Sequence, residues 1–235
     1  MEEFMSKNDM VKIKICGLTR YEEAEYLNEA KADLAGFVFY EKSKRNVSFE
    51  KAAGIMKALD ASITKVAVTV SPDEELIKRI ENAGFDIIQI HGELGTDMLK
   101  IINIPVWRAL NISDTDEAGS ALKPYEGHTD IMENIKGIVM DAPDFGSGKT
   151  FDWHKSRRLL KAGDRSSPLY GRDLILAGGL NEQNVAEGIK LFGPDIVDVS
   201  SGVEGDDGKS HDKILAFVNA VRWQSETAIM KERME

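Results

Sequence analysis

Short apolar and β-branched runs alternate with longer amphipathic stretches along nearly the whole chain. The runs predict strands at Lys12–Ile15, Leu34–Tyr40, Thr64–Val70, Ile87–Ile90, Val106–Leu110, Gly137–Met140, Leu174–Ala177 and Ile196–Ser200. Several are continuously apolar, the pattern of parallel strands covered by helices. The spacing between them predicts helices over Arg20–Ala30, Phe49–Leu59, Ser71–Ala83, Asn184–Phe192 and Asp212–Val221, with another near Asp116–Tyr125. Ser71–Ala83 carries the fullest set of signals. Ser71 can cap it, Pro72 suits the first helical position and Glu74 completes a capping box. Leu76, Ile77 and Ile80 share one face, and Gly84 suits the stop.

Eight strands alternating with helices in 235 residues predict the α/β class and a single (β/α)8 TIM barrel. Residues 1–10 and 224–235 read as polar tails on this one domain. An open doubly wound sheet is the competing arrangement. It is disfavoured because CGLT, not GxGxxG, follows the first strand.

The net charge of −10 weighs against non-specific nucleic-acid binding, which depends on Lys and Arg neutralising phosphates. A small anionic substrate stays compatible, since a few N–H groups and one or two cations make a local positive site. No apolar run approaches the roughly 18–20 residues of a membrane span. MEEFMSKNDM lacks the basic and apolar regions of a secretory signal. A single cysteine allows no intrachain disulfide, so the expected setting is the cytoplasm.

In a barrel the active site forms at the C-terminal ends of the strands. Those ends here carry Cys16-Gly17, Glu41–Arg45, Ser71, His91-Gly92, Asn111, Asp141, Gly178-Gly179 and Ser201-Gly202. Cys16 is either a small buried hydrophobe or, with a cation nearby, a base. Asp141 leaves an apolar strand as either a loop cap or a functional acid. Asp198, inside the last strand, is either a buried structural acid, hydrogen-bonded to backbone or Arg, or a substrate contact. Arg45 is one more solvated charge beside Lys42 and Lys44, or a carboxylate clamp. Gln89 and His91 are structural or contact a ring or hydroxyl. Gly179, Leu180, Ser201 and Gly202 mark two adjacent loops that are tight turns or a phosphate cradle. DFGSGKTFDW lacks the full GxxxxGK[ST] pattern. With Gly146, Gly148 and Lys149 it reads better as a lid.

Taken together KICGLT, GFVFYEKSKRNVS, QIHGE, VMDAPDFGSGKTFDW, LAGGLNEQNV and VDVSSGVE, in order from about Val11 to Val221, resemble the phosphoribosylanthranilate isomerase family. The resemblance implies an Amadori rearrangement in tryptophan biosynthesis, with Cys16 as general base and Asp141 as general acid. It implies that Arg45 holds the anthranilate carboxylate, and that backbone groups of the GGL and SSG loops hold the phosphate. Proton transfer of this kind needs no metal or organic cofactor. It does require Asp141 to start protonated and Cys16 ionised, the reverse of their order in water. The expectation is that burial raises Asp141 while dipoles or cations lower Cys16. The expected partner is a small anionic sugar phosphate, bound by a monomer or homodimer.

Three departures from the family pattern stand out. Phe145-Gly146 replaces a glycine pair, Lys44 replaces a frequent proline, and Leu160–Arg172 is long. A related sugar-phosphate barrel isomerase using two aspartates is the first alternative, although it would place a carboxylate where Cys16 stands. A non-catalytic barrel that binds a phosphorylated ligand is the second.

Overall fold

The computed structural model describes residues 10–111, 133–141 and 171–232. Eight parallel strands close into a barrel in sequence order: β1 (Lys12–Cys16), β2 (Leu34–Phe39), β3 (Thr64–Val70), β4 (Ile87–His91), β5 (Val106–Asn111), β6 (Ile135–Asp141), β7 (Asp173–Leu176) and β8 (Ile196–Val199). The last strand returns to the first, with Lys14 beside Asp198 in register. Closure removes both sheet edges, which an open sheet would have left unpaired.

The period-2 alternation divides each strand between two cores. Outward residues such as Ile13, Ile15, Phe37, Ile88, Ile138 and Val197 pack under the helices. Inward residues, including Leu34, Val66, Val68, Trp107, Val139 and Ile175, fill the barrel itself. Trp107 is 2% exposed and lies against Gly137, where a Cβ would come within 2.6 Å of its ring. A glycine on one strand thus admits an indole from the next.

The N-terminal ends of the strands share a side-chain device. Asp33 accepts from Ile13 N–H at 2.8 Å, Asp86 from Lys65 N–H at 2.7 Å and Asp195 from Leu174 N–H at 2.8 Å. Each aspartate precedes one strand and satisfies an N–H of its neighbour, so these backbone donors are not orphaned where the ladder starts. In barrels this end serves stability, leaving the opposite end for chemistry.

Five helices expected or not from the periodicity follow the strands as α1 (Glu23–Ala30), α2 (Phe49–Ala58), α3 (Glu74–Asn82), α4 (Thr96–Ile101) and α5 (Val185–Phe192), and α6 (His211–Glu232) closes the chain. Ser48 caps α2, accepting from Lys51 N–H at 3.2 Å. Ser71 does not cap α3. It takes a positive φ of 44° at the end of β3, and its hydroxyl accepts from Glu93 N–H at 2.8 Å. Asp73 caps instead, accepting from Leu76 N–H at 2.8 Å. The short α4 was not signalled, because six residues with Leu99 as the buried member carry almost no periodicity. α6 runs beyond Val221 into the stretch read as a polar tail. The helix expected near Asp116–Tyr125 lies outside the described residues. Among the described residues no helix is long and apolar enough to cross a membrane.

Candidate active site

Cys16 ends β1 with its side chain inside the barrel, 8% exposed. Gly36 on β2 is its neighbour in register, and a Cβ there would stand 2.8 Å from the Cys16 Sγ. The thiol therefore occupies space that any other residue at position 36 would take.

Below Cys16 on the same inward face lies Lys14, wholly buried and not singled out from the sequence. Its Nζ donates to Asp198 Oδ2 at 2.6 Å. Burial disfavours the Lys14 ammonium, but the Asp198 carboxylate, foremost, and the Cys16 sulfur together outweigh this and raise its pKa above the ordinary value. The contact is a salt bridge inside the barrel, and its short distance is what offsets the cost of taking such a pair out of water. The second oxygen, Asp198 Oδ1, is buried without a hydrogen-bond partner, so the residue retains an acceptor inside the barrel. The alternation in KIKIC was the available sign that Lys14 faces inward.

The expectation that cations lower the Cys16 pKa is corrected. Burial pushes the thiol up, and Asp198 adds to this, outweighing the opposing pull of Lys14 and Lys209. Removing the anionic form from water costs more than two nearby ammonium groups return. In the free protein Cys16 rests as a thiol.

Arg45, 8% exposed, is not a solvated charge. Its Nε donates to Glu204 Oε1 at 2.5 Å and its Nη2 to Glu204 Oε2 at 3.1 Å. Its stem crosses over Gly17, where a Cβ would lie 2.5 Å from the Arg45 Cδ and where φ is +84°. Both conditions demand glycine after the cysteine. Lys44 and Lys209 also reach Glu204, at 3.0 and 3.1 Å. Although burial disfavours the Glu204 carboxylate, these partners, Arg45 foremost, hold its pKa down at about 2.

Lys209 and Glu204 escaped the sequence reading, because VEGDDGKS resembles a solvated turn. The Lys209 side chain is buried and donates to Ser200 O and Oγ at 3.1 and 3.2 Å. Burial lowers its pKa, partly offset by Glu204. Its backbone N–H donates to buried Glu23 at 2.8 Å. Glu23 also accepts from Thr19 and Arg20 N–H, at 2.6 and 3.0 Å. One carboxylate thus ties the loop after β1 to the loop after β8.

Gln89 and His91 alternate on β4 and face inward, their Nε2 atoms 2.9 Å apart. With the Gln89 amide donating, His91 Nε2 is an acceptor. Burial, reinforced by Lys14 and Arg108, lowers the His91 pKa to about 3, so the ring is neutral. Gln89 Oε1 is buried without a partner.

The two glycine loops meet. Gly178 and Gly179 have φ of 85° and 66°. A Cβ on Gly202 would collide with the Leu180 carbonyl oxygen, so backbone approaches backbone there. The Leu180 side chain is buried in the outer core, leaving only its backbone for a ligand. Among the described residues, the backbone N–H groups of Gly179, Leu180, Ser201 and Gly202 donate to no group of the chain. Such converging donors favour an anion.

Asp141 ends β6, half-buried and in register with Asn111 of β5. Cys16, Asp141, Arg45, Asp198 and both glycine loops therefore share the C-terminal end of the barrel. Gly146, Gly148 and Lys149 lie outside the described residues. Among the described residues no group of three or more His, Cys, Asp or Glu could hold a metal ion.

The sequence profile of N-(5'phosphoribosyl)anthranilate (PRA) isomerase matches residues 13–220. A relative from Thermoanaerobacter pseudethanolicus named N-(5'-phosphoribosyl)anthranilate isomerase is 39% identical, covering 91% of this chain and 98% of its own. One of the same name from Streptococcus pneumoniae is 36% identical, over 91% and 96%. The crystal structure of phosphoribosyl anthranilate isomerase from Thermus thermophilus superposes with a TM-score of 0.75 at 28% identity, covering 91% of this chain and 99% of that one. A phosphoribosyl anthranilate isomerase solved in complex with reduced 1-(o-carboxyphenylamino)-1-deoxyribulose 5-phosphate superposes with a TM-score of 0.70 at 32% identity, over 91% and 100%. With profile, relatives and barrel in agreement across the described strands, the chain belongs to the N-(5'-phosphoribosyl)anthranilate isomerase family.

Proposed function

We propose that the protein converts N-(5-phosphoribosyl)anthranilate to 1-(2-carboxyphenylamino)-1-deoxyribulose 5-phosphate in tryptophan biosynthesis, with Cys16 as general base and Asp141 as general acid. The observation that carries this reading is the set of groups gathered at one barrel mouth. A thiol, a carboxyl, a guanidinium and four uncommitted N–H groups match a reacting sugar with a carboxylate at one end and a phosphate at the other.

The chemistry assigns each group a step. Asp141, as a carboxylic acid, gives its proton to the ribose ring oxygen. The C1–O bond breaks as the anilino nitrogen lone pair forms the Schiff base. Cys16, as a thiolate, removes the C2 proton, and the C–H electrons flow to nitrogen to give an enolamine. Transfer of the enol proton to C1 then leaves the C2 ketone, so no atom is gained or lost. A thiol pKa raised by burial makes the thiolate a stronger base, provided the proton leaves first. Substrate binding, which brings a phosphate and a carboxylate to the mouth and displaces water, is the event that must redistribute that proton. Arg45 receives the anthranilate carboxylate, Asp198 Oδ1 and the Gln89–His91 pair meet sugar hydroxyls or the ring, and the loops at Gly179-Leu180 and Ser201-Gly202 receive the phosphate.

Turnover of phosphoribosylanthranilate generated in place, followed by NMR because substrate and product are isomers, tests the reading. Wild type is expected to convert it, while Cys16→Ala and Asp141→Asn fold but lose most turnover. Near-normal turnover in either variant overturns the acid–base assignment, and an inert wild type overturns the activity.

A further inference from the structure

Glu204 makes a two-pronged contact with Arg45, and which prongs it uses matters. The carboxylate takes the side edge of the guanidinium, Nε at 2.5 Å and Nη2 at 3.1 Å. A guanidinium offers a second edge, formed by Nη1 and the other Nη2 hydrogen, that accepts another carboxylate in the same plane. Among the described residues Arg45 Nη1 donates to no group. Glu204 therefore leaves the end-on edge open rather than filling it.

Glu204 is itself fixed. Lys209, its ammonium buried, donates to it at 3.1 Å while also donating to Ser200, and Ser200 Oγ donates to the Cys16 carbonyl at 2.8 Å. Lys44 adds a third cation at 3.0 Å. One network thus runs from the guanidinium to the backbone of the cysteine. Three cations against one carboxylate leave the cluster net positive, so Glu204 orients Arg45 without cancelling its attraction for an anion. Gly17, beneath the Arg45 stem, permits that path.

We infer that Glu204 is a positioning residue, which aims the open edge of Arg45 at the substrate carboxylate and so sets the preference for a carboxylated aryl group. This rests on the reading that Arg45 holds the anthranilate carboxylate. The depressed pKa of Glu204, about 2, keeps the aiming contact ionised at any working pH.

Two non-reacting ligands test it by calorimetry. They are 1-(2-carboxyphenylamino)-1-deoxyribitol 5-phosphate and its counterpart lacking the carboxyl group. Wild type is expected to prefer the carboxylated ligand by about 10–100-fold, the range for a charged hydrogen-bonded pair. Glu204→Ala is expected to reduce that preference to about threefold or less. Its affinity for the ligand without the carboxyl should stay unchanged. Glu204→Gln, which keeps one acceptor for Arg45 Nε and preserves the packing, is expected to fall between. Arg45→Ala is expected to abolish the preference, and adding Glu204→Ala to it should change the preference no further, since both act on one contact. Retention of the full preference in Glu204→Ala and Glu204→Gln overturns the inference. Equal weakening of both ligands also overturns it, because that is the mark of general disorder at the mouth. A wild type that binds both equally well overturns the carboxylate role of Arg45, and one that binds neither overturns the site reading beneath it.

Discussion

Gly36→Ala is the sharpest perturbation of the site short of touching a reacting group. The added methyl would lie 2.8 Å from the Cys16 Sγ and 3.0 Å from its Cα. Unstrained carbon contacts run at about 3.5–4.0 Å, so one partner must move by roughly 1 Å. The Cα is held in the parallel ladder to β2 and the Cys16 carbonyl accepts from Ser200 Oγ at 2.8 Å, so the Sγ contact is the one that a turn of the side chain can relieve. Gly36 has no positive φ, so the effect is steric rather than a strained backbone. Overpacking of this kind costs about 1–3 kcal/mol, within the roughly 5–15 kcal/mol that holds a domain together. The chemistry is more exposed, since a reacting group misplaced by about 1 Å loses about 100-fold in rate. The variant should therefore remain folded, melt a few degrees lower by circular dichroism, and turn over phosphoribosylanthranilate about 100-fold more slowly, chiefly in kcat. A kcat within about threefold of wild type would refute the claim that this glycine exists to seat the thiol.

Three further outcomes are expected. Lys14→Met strands the buried Asp198 carboxylate and should cost about 3–5 kcal/mol in urea denaturation, most of it recovered when Asp198→Leu removes the other charge as well; a double variant as unstable as the single would contradict the pairing. His91 has a native pKa of about 3 against an ordinary 6.5, so the unfolded chain binds the proton first. Its contribution to stability is whole above pH 6.5 and is lost as the pH falls toward 3, at about 1.4 kcal/mol per pH unit. NMR of the ring should show no titration between pH 8 and 5, and a midpoint near 6.5 would dispose of the neutral-ring assignment. Asp33→Ala removes an acceptor at the far end of the barrel. It should lower stability by about 1 kcal/mol with kcat unchanged, whereas a large kcat effect would show that the two ends are not separate.

Much of this protein is written in local pattern. Strand and helix periods repeat over a few residues, so KIKIC, LAGFVF and IIQIH announce parallel strands without knowledge of their neighbours. Once the strands are parallel, chain direction alone sends Cys16, Arg45, Asp141 and the glycine loops to one end, and the site can be listed before the barrel closes. What sequence could not supply was which groups meet. Asp198 finds Lys14 across 184 positions, and Glu204 finds Arg45 across 159. Those contacts decide between the two readings of Arg45, since its guanidinium is buried against Glu204 and not solvated, and they bring the turn-like VEGDDGKS against it. The sign of the Cys16 shift belongs to the same class. Desolvation and charge depend on distances set by packing, so only tertiary structure decides that burial outweighs two ammonium groups there. Local sequence specifies elements and the order of their ends, and closure of the barrel specifies the electrostatics between them.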